Sequence, residues 1–127
     1  MREAVGPDFL VALRLGACDY QEGGSTQADA VAACKIFEAA GIDLLDISGG
    51  LCGYRGDGSK IPGYFGNESQ AIREAVSVPV ILTGGVRTGL AAETLLEEGK
   101  ADLIGVGRSV LKDSSWAKKA FVELGIE

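Results

Sequence analysis

Two arginines and three glycines hold the chemistry that this chain offers: Arg14, Gly84, Gly85, Gly107 and Arg108. The stretch over 81–108 reads ILTGGVRTGLAAETLLEEGKADLIGVGR. An apolar strand runs into Gly84-Gly85, a helix follows, and a second apolar strand ends at Gly107-Arg108. Parallel strands that each finish in glycine bring backbone N–H donors together at one end of a sheet. A glycine there keeps side chains away from those donors and permits φ > 0. Arg108 adds a permanent charge with a fork of donors suited to phosphate oxygens. These types at this spacing predict a phosphate-binding mouth. The same glycines without the arginine would read as tight βα turns alone.

Arg14 sits in the run LVALRL over 10–15, near the C-terminal end of a strand that is otherwise apolar. A buried guanidinium without a partner costs several kcal/mol. It is therefore expected either to pair with a carboxylate or to face a ligand. Alternation in the strand IDLLDIS puts Leu44, Asp46 and Ser48 on one face and Leu45 and Ile47 on the other. Asp46 is the expected partner of Arg14.

The elements that must position these residues follow from hydrophobic periodicity. A short helical end over 2–5 is stopped by Gly6-Pro7. Thr26 and Asp29 form a capping box ahead of a helix whose apolar face is Ala30, Ala33, Cys34, Phe37 and Ala40. Asn67 is the expected cap of a third helix with Ala71, Ile72, Ala75 and Val76 inward. Pro79 precedes the strand VILT, where a proline is tolerated. The next helix is expected to turn Leu90, Ala91, Leu95 and Leu96 inward. A last helix, capped by Asp113, is expected to bury Trp116, Ala117, Ala120, Phe121 and Leu124. The segment over 51–66, with Tyr54, Tyr64 and Phe65, reads as a lid or substrate loop. Gly41-Ile42-Asp43-Leu44-Leu45 is echoed by Gly99-Lys100-Ala101-Asp102-Leu103-Ile104, each a helix end leading into a strand.

The predicted fold is α/β: four βα units with parallel strands and right-handed crossovers, one domain over 1–127. Four such units leave two open edges and one uncovered sheet face. A TIM (β/α)8 barrel resolves this with eight strands and about 250 residues, and its phosphate site commonly follows the last two strands. The chain reads as the C-terminal half of such a barrel.

Bulk properties restrict the function classes. Hydrophobic residues make up 46% of the 127, a globular composition. A formal net charge of −6 without a basic cluster argues against nucleic acid as a partner. The apolar runs are too short to span a membrane, and a cytoplasmic protein is expected. The three cysteines, Cys18, Cys34 and Cys52, match no metal spacing. With no histidine in the chain, the commonest acid–base group and metal ligand is missing, and no metal site is expected.

Beyond the single motifs, the ordered set REAVGPDFLVALRL, DLLDISGG, VPVILTGGV and ADLIGVGRSVLKD resembles the old yellow enzyme family of FMN-dependent NAD(P)H:flavin oxidoreductases and ene-reductases. The resemblance covers nearly the whole chain. It implies FMN as cofactor and NAD(P)H as reductant, with hydride passing through the flavin to an activated alkene or similar small-molecule acceptor. It implies that Arg14 lies beside the flavin ring and stabilises negative charge on it, and that Gly84, Gly85, Gly107 and Arg108 hold the FMN phosphate. The family's substrate-binding His pair, proton-donating Tyr and first flavin-contacting strand fall outside these residues, so no catalytic residue is assigned here. Nor does the C-terminal LGIE offer the arginine that some members lend to a neighbouring subunit. A complementary N-terminal half-barrel or a second copy of the chain is the expected partner. The alternatives are a non-catalytic half-barrel that self-associates or binds a phosphorylated ligand, and another phosphate-binding barrel of the dihydrouridine synthase or phosphosugar isomerase kind.

Overall fold

The computed structural model describes residues 1–51 and 61–126. Cys52, Tyr54 and most of the expected lid segment lie outside the described residues. Among the described residues, the strands β1 (Ala12–Gly16), β2 (Leu44–Ser48), β3 (Val80–Thr83) and β4 (Leu103–Gly105) form one sheet in the order β1-β2-β3-β4. Every neighbouring pair is parallel. The helices are α1 (Arg2–Val5), α2 (Gln27–Ala39), α3 (Gly66–Arg73), α4 (Gly89–Glu97), α5 (Arg108–Lys112) and α6 (Trp116–Glu123). Strand order equal to chain order, with helices as crossovers, is the arrangement of part of a (β/α)8 barrel.

One sheet face is covered. Leu45 and Ile47 of β2 and Val80 of β3 are fully buried with Ala30 and Cys34 of α2 and Ile72 of α3. Leu82, Phe65, Val86, Leu95 and Ala101 form a second buried cluster beside it. Burial explains why the Cys34 thiol is pushed up to about 11, which keeps it protonated and inert. The opposite face carries Ala12, Arg14, Leu44, Asp46, Ile81, Thr83 and Leu103, and none of these is fully buried. Leu103 on edge strand β4 is 48% exposed. The uncovered face expected of four βα units is therefore present.

The sequence echo has a physical basis at the strands' N-terminal ends. Asp43 donates its amide to Val11 O at 2.9 Å, and its carboxylate accepts from Val11 N at 2.7 Å. Asp102 does the same with Val80, donating its amide to Val80 O at 2.9 Å and accepting from Val80 N at 2.9 Å. Each carboxylate also takes an arginine, Arg2 for Asp43 and Arg73 for Asp102. One latch thus recurs between β1 and β2 and between β3 and β4. The Val11 amide, helped by Arg2, holds the Asp43 carboxyl below its usual range. Burial opposes ionisation of Asp102, but Arg73 and the Val80 amide outweigh it and its pKa is also lowered.

Several local expectations are corrected. The Thr26–Asp29 capping box is formed, but α3 begins at Gly66 with Phe65 as N-cap, so Asn67 lies inside the helix. On α2, Ala40 is exposed and only Ala30 and Cys34 are buried. On α4, Leu95 is buried whereas Leu90 is 56% exposed. Helix α6 starts after Ser115, and of its expected stripe only Ala120 is buried, with Phe121 54% exposed. The reason is its neighbour. A Cβ at Gly89 of α4 would sit 2.8 Å from Ala120 O, so α6 meets α4 by close backbone approach and not through a wide apolar stripe.

Asp113 stands two residues ahead of the Ser115 cap. It accepts from Ser115 N at 3.0 Å, Ser115 Oγ at 2.6 Å and Lys119 Nζ at 2.5 Å. Lys119 first, and Ser115 after it, depress its carboxyl from 3.8 to about 2. Because the folded pKa lies below the unfolded one, this stabilisation is complete above about pH 4 and is lost as pH falls toward about 2. Urea midpoints of the wild type and Asp113→Asn are expected to differ by a constant amount above pH 5 and to converge below pH 3. A gap unchanged down to pH 2 would contradict this.

Candidate functional site

The C-terminal ends of β3 and β4 open into a cavity of about 650 Å³, within the usual size range of ligand pockets. Its lining contains all five residues singled out from the sequence: Arg14, Gly84, Gly85, Gly107 and Arg108. Parallel pairing of Thr83 with Gly105 brings the two βα turns side by side.

Arg14 has its expected carboxylate partner. Its Nη1 donates to Asp46 Oδ2 at 2.9 Å across the Arg14–Asp46 register pair, and the guanidinium, half exposed, lines the cavity. The second Asp46 oxygen accepts from Thr83 Oγ1 at 2.7 Å. A side chain at Gly105 would exclude that hydroxyl, since its Cβ would lie 2.2 Å from Thr83 Oγ1. Asp46 thus fixes the arginine to β2 and, through Thr83, to β3.

The glycines divide into two kinds, which refines the reason given for them from sequence. Gly85 has φ 68°, and a Cβ there would come within 2.7 Å of the Tyr64 ring. The space denied to a side chain at that turn is filled by an aromatic ring of the same chain. Gly107 has an ordinary φ of −107°, and a Cβ there would meet no atom of the described residues within 4 Å. Of the described glycines that line the cavity, Gly107 is the one whose vacated space is open to a ligand.

The turn after β3 is tied in place from three sides. Gly84 O accepts from Gly63 N at 2.7 Å, Val86 O from Ser109 Oγ at 3.1 Å, and Arg87 O from the Trp116 indole at 2.7 Å. The α6 residue Glu123 also accepts from Gly89 N at 2.7 Å, capping α4 from outside. Arg108 opens α5 instead of ending a strand, and its Nη2 donates to Tyr64 Oη at 3.3 Å.

Sequence reasoning missed Arg87 and Lys112, both of which line the cavity. Lys112 follows Arg108 by one helical turn of α5, a spacing that marks a shared face once the helix is known. With Arg14, Arg87, Arg108 and Lys112 the lining has, among the described residues, four cations and no carboxylate, in a chain of net charge −6. Such a concentration of one sign in a concave site draws an anion. Among the described residues, no group of three or more His, Cys, Asp or Glu is arranged to hold a metal ion. None of their helices is long and apolar enough to cross a membrane.

The profile of the NADH:flavin oxidoreductase / NADH oxidase family matches residues 1–126. The chain is 34% identical over 125 residues to the metal reductase of Desulforamulus reducens, covering 94% of this chain and 18% of that protein. It is 34% identical over 122 residues to the NADPH dehydrogenase of Bacillus subtilis, covering 96% of this chain and 35% of that protein. Among solved structures, a 2-naphthoyl-CoA reductase superposes with a TM-score of 0.84 at 28% identity, over 98% of this chain and 19% of that one. The chain therefore spans about a fifth to a third of these relatives' lengths.

Proposed function

The chain belongs to the NADH:flavin oxidoreductase / NADH oxidase family, and from that premise we propose that residues 1–127 act as one domain holding the FMN phosphate of a cytoplasmic, FMN-dependent oxidoreductase. FMN with NAD(P)H as reductant is the cofactor pair that the family implies. The observation that carries the reading is the lining of the cavity around Gly107: among the described residues its charged side chains are all cations, and the missing Gly107 side chain leaves room that none of them fills. A phosphate monoester fits that donor set: it presents several oxygens and about two negative charges, to be met by amides, a guanidinium fork and further cations.

In this reading Gly107 supplies the close backbone approach, Gly84 and Gly85 the tight turn beside it, and Arg108 the charged clamp. Arg87 and Lys112 add to the field. Arg14, held by Asp46, supplies positive charge toward the flavin ring. Its pairing keeps the guanidinium in one place before any ligand arrives, which lowers the ordering cost of binding. When bound, FMN supplies the relay of hydride from NAD(P)H to an acceptor such as an activated alkene. The chain's own share is binding, orientation and electrostatics.

The uncovered sheet face and the open edges of β1 and β4 favour further strands that complete a barrel, from a complementary N-terminal half or from a second copy. The same surface supports the alternative of a non-catalytic half-barrel that binds a phosphorylated ligand. Turnover separates the two. Combined with a complementary N-terminal half, FMN and an enone, the chain is expected to oxidise NADPH or NADH in an enone-dependent manner. Flavin binding without any such turnover would favour the non-catalytic reading, and absence of flavin binding would overturn the proposal.

A further inference from the structure

We propose that Tyr64 is a positioning residue which holds the Arg108 guanidinium at the cavity mouth. It does so by wedging between the two βα turns that form the site. The inference rests on the phosphate reading above for its consequence, but its geometry stands independently.

Three observations converge on this side chain. The Tyr64 ring occupies the volume that side chains at Gly84 and Gly85 would need, within 3.0 Å and 2.7 Å of the Cβ positions. Its hydroxyl accepts from Arg108 Nη2 at 3.3 Å, reaching from the β3 turn to the β4 turn. Its base is anchored: Phe65 packs edge-on against it at a centroid distance of 4.6 Å and is itself buried, and Gly63 N is bonded to Gly84 O at 2.7 Å. A ring with two rotatable bonds, fixed at its base and seated on glycine, is a rigid strut. An arginine with four rotatable bonds on a five-residue helix has no comparable stiffness of its own. Tying the guanidinium to the strut spends that conformational freedom before the anion arrives, and so raises affinity through Arg108 and not through a new contact. Tyr64 also lines the cavity, so the competing possibility is that its hydroxyl meets the anion directly.

The test has two arms on the 127-residue chain. In the first, the side-chain Nε–Hε of Arg108 is followed by 15N relaxation without ligand. The guanidinium is expected to be more mobile in Tyr64→Phe than in the wild type, with backbone amides of Gly84 and Gly85 unshifted. In the second, FMN affinity is measured for wild type, Tyr64→Phe, Arg108→Ala and the double variant. Loss of the hydroxyl is expected to weaken FMN about three- to tenfold in the wild-type background. It is expected to have no effect once Arg108 is alanine, because the tyrosine acts through the arginine. Equal Arg108 order in both proteins, or an undiminished Tyr64→Phe effect in the Arg108→Ala background, would overturn the positioning role. An ordered Arg108 that loosens in Tyr64→Phe, in a chain that binds FMN no better than riboflavin, would support the strut and overturn the phosphate reading instead.

Discussion

Replacing Arg108 with alanine is expected to weaken FMN binding by roughly ten- to a hundredfold, the cost of a lost charge-assisted hydrogen bond to an anion. Riboflavin, which lacks the phosphate, is expected to bind the variant and the wild type alike. Arg14→Ala is expected to have the smaller effect on FMN, because that guanidinium is satisfied by Asp46 at 2.9 Å and faces the ring rather than the phosphate in the proposed arrangement. It is also expected to affect riboflavin and FMN equally. Fluorescence quenching of the two flavins by the three proteins measures all of this. Equal FMN affinities for Arg108→Ala and Arg14→Ala would remove Arg108 from the clamp.

The second large effect separates the two kinds of glycine. Gly107→Ala places a methyl group where no atom of the described residues lies within 4 Å, at a φ of −107° that alanine accepts. Its urea midpoint is expected to match the wild type, while FMN affinity falls by about tenfold or more because the methyl occupies ligand space. Gly85→Ala meets two obstacles. At φ 68° a Cβ is strained, and the Tyr64 ring stands 2.7 Å away. It is expected to lose about 2–4 kcal/mol of stability, with a lowered midpoint. A destabilised Gly107→Ala or an undisturbed Gly85→Ala would show that the division is wrong.

The contrast shows what sequence can and cannot display. Strand ends, glycine pairs and the arginine after Gly107 are local patterns, so the parallel sheet and the convergence of the five residues on one cavity were legible. The Arg14–Asp46 pair was legible too, because strand alternation and one intervening helix determine which faces meet. Tyr64 was visible only as an aromatic in a long loop. Its seat on Gly84 and Gly85 depends on the fold of a segment whose course has no periodicity. Arg87 and Lys112 were hidden for a different reason. The short helix α5 begins at Arg108, where the apolar pattern reads as the end of a strand, so the helical spacing of Arg108 and Lys112 had no frame. The exposed Phe121 shows the limit of the apolar-stripe rule: α6 docks by its Ala120 against Gly89 of α4, and Phe121 and Val122 face outward.

The same docking matters to the site. Trp116 and Glu123 reach from α6 to the turn and helix that follow β3, so the last helix stiffens the loop bearing Gly84 and Gly85. The cavity end of the sheet is thereby braced by α5, α6 and Tyr64, while the carboxylate latches of Asp43 and Asp102 hold the opposite end. Latches at one end and donors at the other match the division of labour in β/α barrels, where stability and chemistry sit at opposite ends of the strands.

In the proposed site the turns after β3 and β4 jointly form a phosphate cup. Backbone amide shifts of the 15N-labelled chain, titrated in parallel with FMN and with riboflavin, test it most directly. FMN is expected to move the amides of Gly85, Val86, Gly107 and Arg108 together, with one affinity, and riboflavin to leave them in place. Identical shift patterns for both flavins, or FMN shifts confined to residues away from these two turns, would contradict it.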